Sequence, residues 1–373
     1  PDRPGIASGI FRLLADAKVN VDMIVQNVSV SDEKTTDLSV TIPETQGDLA
    51  MSMLRAAEEK IGYASLEYND QVGKLSNGDL KIDVNWGGAL FSEKAAVQSL
   101  RDGVADMGSV IGVYFPQDMI AYGLADLPIP NPDPWVGMKA TDKLMRENEQ
   151  IRENLAQQNL VYIGTYTTSA VQVGCKGKTI ETLDDVKGVK IRGVGAYGKV
   201  FHDLGATPVD MSVYEAYQGL DTGLIDCTQT YPYLVKALKF DEVFDSYTVL
   251  DWGQIGALGI LMNKDSFDAL SPEEQQALMT AGEGLADEFG RILGAANEES
   301  VQILKDENKE INTISDADRE KLIAAGEPYV QEWITRADAA GLDGQAMVDE
   351  YKALVVEYTR ERDEKGYPWA PKG

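Results

Sequence analysis

From Thr182 to Tyr233 the chain reads TLDDVKGVKIRGVGAYGKVFHDLGATPVDMSVYEAYQGLDTGLIDCTQTYPY, and this stretch leaves little choice of fold. Val189–Arg192 reads as a short strand that delivers an arginine to its C-terminal end. Gly193 and Gly195 then turn the chain into a helix near Tyr197–Leu204. A second strand is expected over Thr207–Met211, a second amphipathic helix over Tyr214–Thr222, and a third strand over Ile225–Thr230. The last strand closes on an aromatic-proline corner at Tyr231, Pro232 and Tyr233. The order is β-α-β-α-β, with ligand-type residues at strand ends, where open α/β sheets place their crevices. An arginine there suits a carboxylate, because the guanidinium fork can hold both oxygens.

Charge and residue counts narrow the chemistry further. A net charge of −27 over 373 residues argues against nucleic acid or an anionic membrane surface as partner. Any bound anion must therefore be held by a local positive site working against the global field. One histidine (His202) and two cysteines (Cys175 and Cys227) argue against a zinc site and against a disulfide framework. Both cysteines are expected as packed thiols. No apolar run reaches the ~18 residues of a membrane span, so no membrane insertion is expected. The opening residues show neither a basic n-region nor an apolar h-region, so no export signal is read.

The chain contains no GxSxG, HExxH or P-loop motif. Gly193–Gly198 formally spells GxGxxG, but Arg192 stands where the strand should hand over an apolar residue, and no acidic partner follows at the usual distance. Asp and Glu are plentiful, yet no pair stands out as an acid/base couple. The expectation is a binding protein rather than an enzyme, with no cofactor and no metal.

Residues 1–76 read as a unit of their own. PDRPG leads into a helix with Ile6, Ile10, Leu13 and Ala17 on one face. Val21–Val28 and Thr36–Ile42 alternate as strands around a charged hairpin at Ser31–Lys34. Asp48–Ile61 is a second helix, and Leu66–Tyr68 begins a last strand. The order α-β-β-α-β is a ferredoxin-like α+β unit lacking its first strand. PDRPGIASGIFRLLADAKVNVDMIVQNVS, TTDLSVTIP and EYNDQVGKLS resemble the regulatory ACT domain of aspartate kinases. That resemblance implies lysine or threonine binding at the first turn of the helix and the facing strand, on Asp2, Gly5, Ile6, Ala7, Gln26 and Asn27. Exposed amides at a helix N-terminus suit a carboxylate there. The first strand, a partner ACT unit and the kinase itself are absent from the pattern, which leaves open a folded appendage with no effector.

At Ser76–Asn77 the pattern changes. NGDLKIDVNWGGALFSEKAAVQSLRDGVADMGSVIGVYFPQDMIAYGLADLPIP resembles the periplasmic substrate-binding proteins of TRAP (tripartite ATP-independent periplasmic) transporters. Leu80–Asn85 is expected as a strand, Trp86–Leu90 as a glycine loop and Ser92–Arg101 as a helix. Gly103–Gly108 matches the family's G-x-x-D-M-G step, and Tyr114-Phe115-Pro116 and Leu127-Pro128 match the following loop. The resemblance implies a two-lobed α/β periplasmic-binding-protein fold over 77–373, with lobe I at about 77–165 plus parts of 250–373 and lobe II at about 166–250. It enters late, with the family's opening strand and helix missing. A strand from the ACT-like segment fills that slot in the first lobe, or the slot stays an exposed edge. No Pro/Gly/Ser-rich linker separates the two parts, so the junction reads as an artificial join rather than a smooth natural fusion.

Beyond the junction, Asp142–Gln158 is expected as one charged amphipathic helix and Leu160–Gly164 as a strand, with Tyr166–Ser169 at its end. Leu258–Met262 is expected as another strand. Ser271-Pro272-Glu273-Glu274 carries a capping box with proline at the first helical position. Apolar residues from Leu278 to Leu304 then suggest a helix of about thirty residues or more, which in the family braces the two lobes. Asp318–Ala325, Tyr329–Ala339 and Met347–Arg362 follow as helices, and Gly366–Gly373 as a loose tail.

The TRAP resemblance assigns Arg192, in VKIRG, to a salt bridge with the ligand carboxylate; the alternative ties it to a surface carboxylate such as Asp184. A second family arginine is replaced here by Val171-Gln172, which implies one carboxylate on the ligand rather than two. Where many members read D-G-Q-E-N-P, this chain reads Asp226-Cys227-Thr228-Gln229-Thr230-Tyr231-Pro232, so Thr230 or Tyr231 takes the asparagine's role. The acidic-aromatic pair with which some members hold a metal is not evident. Tyr166, Tyr231, Tyr233 and Trp252 wall an apolar ligand body or belong to the core. The implied function is periplasmic delivery of a small organic acid to TRAP membrane permease subunits.

Overall fold

Arg192 lies in a six-stranded sheet whose order only the three-dimensional structure reveals. A computed structural model describes residues 23–28, 36–41, 65–85 and 90–370. The chain divides into two compact units, Pro1–Glu67 with Asn85–Gly87, and Tyr68–Val84 with Gly88–Gly373. In the first, β1 (Met23–Val28) pairs antiparallel with β2 (Thr36–Thr41), from Met23 opposite Thr41 to Val28 opposite Thr36. The helices expected around Ile6–Ala17 and Asp48–Ile61, and the Ser31–Lys34 hairpin, lie outside the described residues.

The strand expected to begin at Leu66–Tyr68 is instead helix α1 (Ser65–Leu75). Its apolar spacing decides the matter, since Tyr68 and Val72 fall one turn apart and bury among Ile163, Met262, Leu278, Ala281 and Leu285. The strand expected over Leu80–Asn85 forms no ladder among the described residues, although half-buried and exposed residues alternate along it. Leu80 and Ile82 pack against the same cluster as α1. Most of the Trp86–Leu90 loop lies outside the described residues.

Lobe I is built on an antiparallel sheet in which β10 (Leu258–Asn263) lies between β3 (Met107–Ile111) and β4 (Leu160–Thr165). Before β3 comes the short helix α2 (Ala96–Arg101). The single helix expected over Asp142–Gln158 is two, α3 (Pro134–Glu147) and α4 (Glu149–Gln157). Asn148 separates them, its side chain accepting from the Ile151 amide at 3.1 Å and so capping α4.

Lobe II carries the second sheet, ordered β11-β9-β5-β8-β6-β7. It comprises β5 (Gln172–Cys175), β6 (Lys190–Arg192), β7 (Thr207–Val209), β8 (Cys227–Thr230), β9 (Ser246–Val249) and β11 (Glu310–Thr313). Helix α5 (Gly195–Asp203) joins β6 to β7, and α6 (Ala216–Asp221) precedes β8. The edge strand β7 contains Pro208, a residue that cannot donate to a further ladder. In the interior, β5 and β8 pair antiparallel with Cys175 opposite Cys227, and the two form a disulfide. The expectation of two packed thiols is therefore corrected. Residues 52 apart in sequence are brought together by a strand, β5, that the sequence pattern did not reveal.

Residues 166–171 and 250–257 cross between the lobes. α7 (Leu234–Ala237) and α8 (Lys264–Asp268) are short. The long helix expected from Ser271 is α9 (Pro272–Glu283) followed by α10 (Leu285–Asp306), interrupted at Gly284. Gly282 explains the tight approach just before the break: a Cβ there would lie 1.9 Å from the Ile163 carbonyl oxygen. α10 still braces both lobes, packing on α3 and β4 in lobe I and on α7 and β11 in lobe II.

The two helices expected over Asp318–Ala339 are one, α11 (Asp316–Ala339), with Pro328 inside it. α12 (Gly344–Lys365) returns to pack on α3. The tail expected to be loose is docked as far as Ala370. Tyr367 and Trp369 stack at 4.8 Å and meet Trp135 edge-on at 5.9 and 6.4 Å. The Tyr367 hydroxyl also donates to Asp133 at 2.7 Å.

Candidate functional site

Arg192 ends β6 at the point where the chain leaves the sheet. Its side chain is 2% exposed. Nε donates to the Met211 carbonyl at 3.0 Å and Nη1 to the Gln229 carbonyl at 3.4 Å. Among the described residues no carboxylate pairs with it. Asp184, the alternative partner, is bound instead to Lys187 at 2.7 Å. Burial pulls the guanidinium pKa down, opposed by the nearby Tyr231, Tyr114, Asp210 and Glu215. An interior cation satisfied only by backbone carbonyls is costly to hold unless an anion completes it.

The strand ends around it are tied together by Gln229. Its side-chain oxygen accepts from the Val194 amide at 2.9 Å, and its Nε2 donates to the Tyr231 hydroxyl at 3.2 Å. One residue on, Thr230 is fully buried and its hydroxyl has no partner. Gly195 opens α5 with φ +57°, and a Cβ there would lie 2.6 Å from a Val113 methyl of lobe I. Glycine is required both by the backbone angle and by the approach of the two lobes.

The other expected side chains take different places. Tyr166 is half-buried and stacks on Phe289 at 5.4 Å; its hydroxyl meets that of Ser109, and burial pushes its phenol up to about 12. Tyr231 is 5% exposed and stacks on Tyr233 at 5.9 Å. Trp252 is fully buried, edge-on to Tyr197 at 4.8 Å and to Phe201 at 6.1 Å.

Gln172 is also buried, and its amide is engaged at the lobe crossing. It accepts from the Leu250 and Asp251 amides at 2.5 and 3.1 Å and donates to the Asp251 carboxylate at 2.9 Å. Asp251 has φ +45°, a left-handed turn that these bonds hold in place. Arg192, Thr230 and Tyr231 thus lie at the ends of β6 and β8; Gln172 stands opposite Thr230 in the β5–β8 ladder with its amide spent on the crossing, and Trp252 serves the core. Of the expected effector residues, Gln26 and Asn27 lie on β1, and Asp2, Gly5, Ile6 and Ala7 lie outside the described residues.

Residues not singled out from the sequence also face this corner. Tyr114, in the loop after β3, and Tyr214, on the turn after β7, both feel Glu93, and Tyr214 also feels Tyr114. The Tyr197 hydroxyl donates to the Gln254 carbonyl at 2.8 Å and lies 3.1 Å from the Leu127 carbonyl, linking α5 to the lobe crossing. A tyrosine inside a capping-box turn, as in Ser212–Glu215, was the available signal for Tyr214.

Several known proteins share this architecture. A family profile described as "Bacterial extracellular solute-binding protein, family 7" matches residues 51–336, and an ACT domain profile matches residues 1–57. The 2,3-diketo-L-gulonate-binding periplasmic protein of Escherichia coli is 26% identical over 311 residues, covering 80% of this chain and 93% of the relative. The C4-dicarboxylate-binding protein of Bacillus subtilis is 25% identical over 283 residues, covering 74% of this chain and 76% of that protein.

The aspartokinase of Corynebacterium efficiens is 45% identical over 76 residues, which are 20% of this chain. This chain spans only 18% of that kinase's length. Among solved structures, a TRAP periplasmic solute-binding protein of Desulfovibrio salexigens aligns with a TM-score of 0.71 at 21% identity, over 87% of this chain and 94% of that one. A TRAP solute-binding protein of Rhodoferax ferrireducens aligns with a TM-score of 0.71 at 20% identity, over 81% and 95%. With the profile covering more than half of its residues, the chain belongs to the bacterial extracellular solute-binding proteins of family 7.

Proposed function

We propose that this protein is the extracytoplasmic solute receptor of a TRAP transporter. On this reading it binds a small organic acid in the cleft between its lobes and delivers it to the membrane permease subunits from the periplasm. The two relatives matched over most of the chain, from Escherichia coli and Bacillus subtilis, are binding proteins named for organic acids. One observation carries the assignment to this chain: Arg192 is buried, bonded only to two backbone carbonyls, and free of any carboxylate partner among the described residues. A ligand carboxylate supplies the missing anion and both acceptors for the guanidinium fork. The two crossings and α10 allow the lobes to close around it by hinge motion.

The test is a thermal-shift and calorimetric screen of organic acids on refolded protein stripped of carried-over ligand. A ligand at a hundredfold over its Kd adds about 2.7 kcal/mol of stability. Arg192→Ala should keep the fold and lose the response. Retained micromolar affinity in that variant would remove the arginine from the mechanism. The 76-residue likeness to aspartokinases favours a second reading, an amino-acid sensor in the ACT segment. Lysine and threonine therefore belong in the same screen, and a response to them alone would transfer the function to that segment.

A further inference from the structure

We propose that the solute is a monocarboxylate with a planar aromatic body rather than a dicarboxylate or a sugar acid, an inference that rests on the carboxylate reading of Arg192. Three features of the corner support it. The first is charge. Arg192 is the only cation among the electrostatic influences on Tyr114 and Tyr231, while Asp210, Glu215, Glu93 and Asp126 are the acids that act on Arg192 or its tyrosine neighbours. A second ligand carboxylate would meet this acidic fringe with no cation to offset it, and like charges at close range disfavour binding.

The second feature is the supply of hydrogen-bonding groups. A sugar acid presents several hydroxyls, each needing a partner once desolvated. Here several polar side chains are already engaged, and the buried unpartnered donors at the crossing are Trp252 Nε1 and Gln254 Nε2. Gln229 holds Val194 and Tyr231, and Gln172 holds Leu250 and Asp251. Ser169 and the Tyr233 amide share Asn297, at 2.9 and 3.1 Å. On β8, whose Thr228 lies opposite Arg192, the Thr230 hydroxyl is buried and unpartnered. These few groups, mostly donors, match the needs of a polyol poorly.

The third feature is surface. Tyr166, Tyr233 and Phe289 are half-buried and lie against the apolar clusters. Tyr166 and Phe289 are stacked, as are Tyr231 and Tyr233, so the two pairs offer preset flat faces. Tyr214 is 69% exposed on the turn whose Met211 carbonyl holds Arg192, and it feels Tyr114 of the other lobe electrostatically. Flat, incompletely covered aromatic faces beside a single buried cation match a ring carrying one carboxylate. Tyr214 is the side chain placed to cover that ring when the lobes close.

The experiment is calorimetry on the refolded full chain with benzoate, cyclohexanecarboxylate, succinate, glucuronate and benzyl alcohol. Benzoate should bind about tenfold or more tighter than succinate and glucuronate, and severalfold tighter than its saturated analogue. Tyr214→Ala should weaken benzoate about fivefold or more, without lowering the melting temperature of unliganded protein. Succinate or glucuronate binding as tightly as benzoate, yet lost in Arg192→Gln, would overturn the aromatic proposal and keep the carboxylate reading. Benzyl alcohol matching benzoate, or benzoate binding surviving Arg192→Gln, would overturn both.

Discussion

Asp126 is a buried carboxyl at the lobe crossing, and its removal should change how stability depends on pH. It is 7% exposed, and Oδ1 accepts from the Ala257 amide at 2.9 Å while Oδ2 has no partner. The groups that feel its charge are the phenols of Tyr122, Tyr197, Tyr231 and Tyr351, and no described cation balances it. Burial therefore pushes its carboxyl up to about 7 from an ordinary 3.8. A carboxyl raised in the folded state stays protonated there while its unfolded counterpart ionises, so folding loses stability as pH rises from about 4 to about 7.

The slope is about 1.4 kcal/mol per pH unit, falling off as pH approaches 7, which gives about 2.3 kcal/mol between pH 5 and pH 7. Asp126→Asn keeps the acceptor for Ala257 and removes the ionisation, at a pH-independent cost for the unpartnered amide that takes the place of Oδ2. Urea unfolding of both proteins at pH 5, 6, 7 and 8 supplies the difference, in which the other titrating groups cancel. The wild type's advantage over the variant should shrink by about 2–3 kcal/mol from pH 5 to pH 7 and level off by pH 8. A difference that stays flat across this range would show that Asp126 ionises normally and that its surroundings are wetter than the packing indicates.

Two further predictions concern packing and covalent structure. Gly282→Ala should cost about 2–4 kcal/mol in urea unfolding, because the added methyl meets a backbone oxygen that no rotamer change can move; an unchanged midpoint would mean that α9 and β4 are not so closely apposed. The Cys175–Cys227 bridge closes a 52-residue separation, for which loop entropy gives about 4 kcal/mol, so reduction should lower the urea midpoint markedly. Thiol titration of the denatured, unreduced protein should find no free thiol, and two per chain would refute the pairing.

The elements legible in the sequence are those whose signals are local. Arg192 at a strand end, followed by glycines and an apolar helical spacing, could be placed because every cue lies within fifteen residues. The Ser271 capping box behaved as read: Ser271 accepts from the Glu274 amide at 3.3 Å, and Glu274 accepts in return from the Ser271 amide at 2.8 Å. β5 and β9 escaped notice because they are four-residue strands, and β9 buries polar side chains instead of alternating them. In β9, Ser246 and Thr248 donate to the carbonyls of Lys178 and Ile180 at 2.7 and 2.6 Å. Such partners are supplied by the folded neighbourhood and leave no periodic trace. With β5 unseen, the registry that brings Cys175 opposite Cys227 was unseen too.

Leu80–Asn85 shows the same division from the other side. Its alternation is real, since Leu80 and Ile82 turn toward the α1 cluster while Lys81 and Asp83 are exposed, yet the segment is in no ladder among the described residues. Alternation encodes which face is buried; a strand also needs a neighbour to receive its amides and carbonyls, and that neighbour is a long-range fact. Arg192 follows this logic at the level of function. Its position was readable from local pattern, but the reason to propose it as a ligand's partner lies in what surrounds it: two carbonyls, and a fringe of acids that do not pair with it.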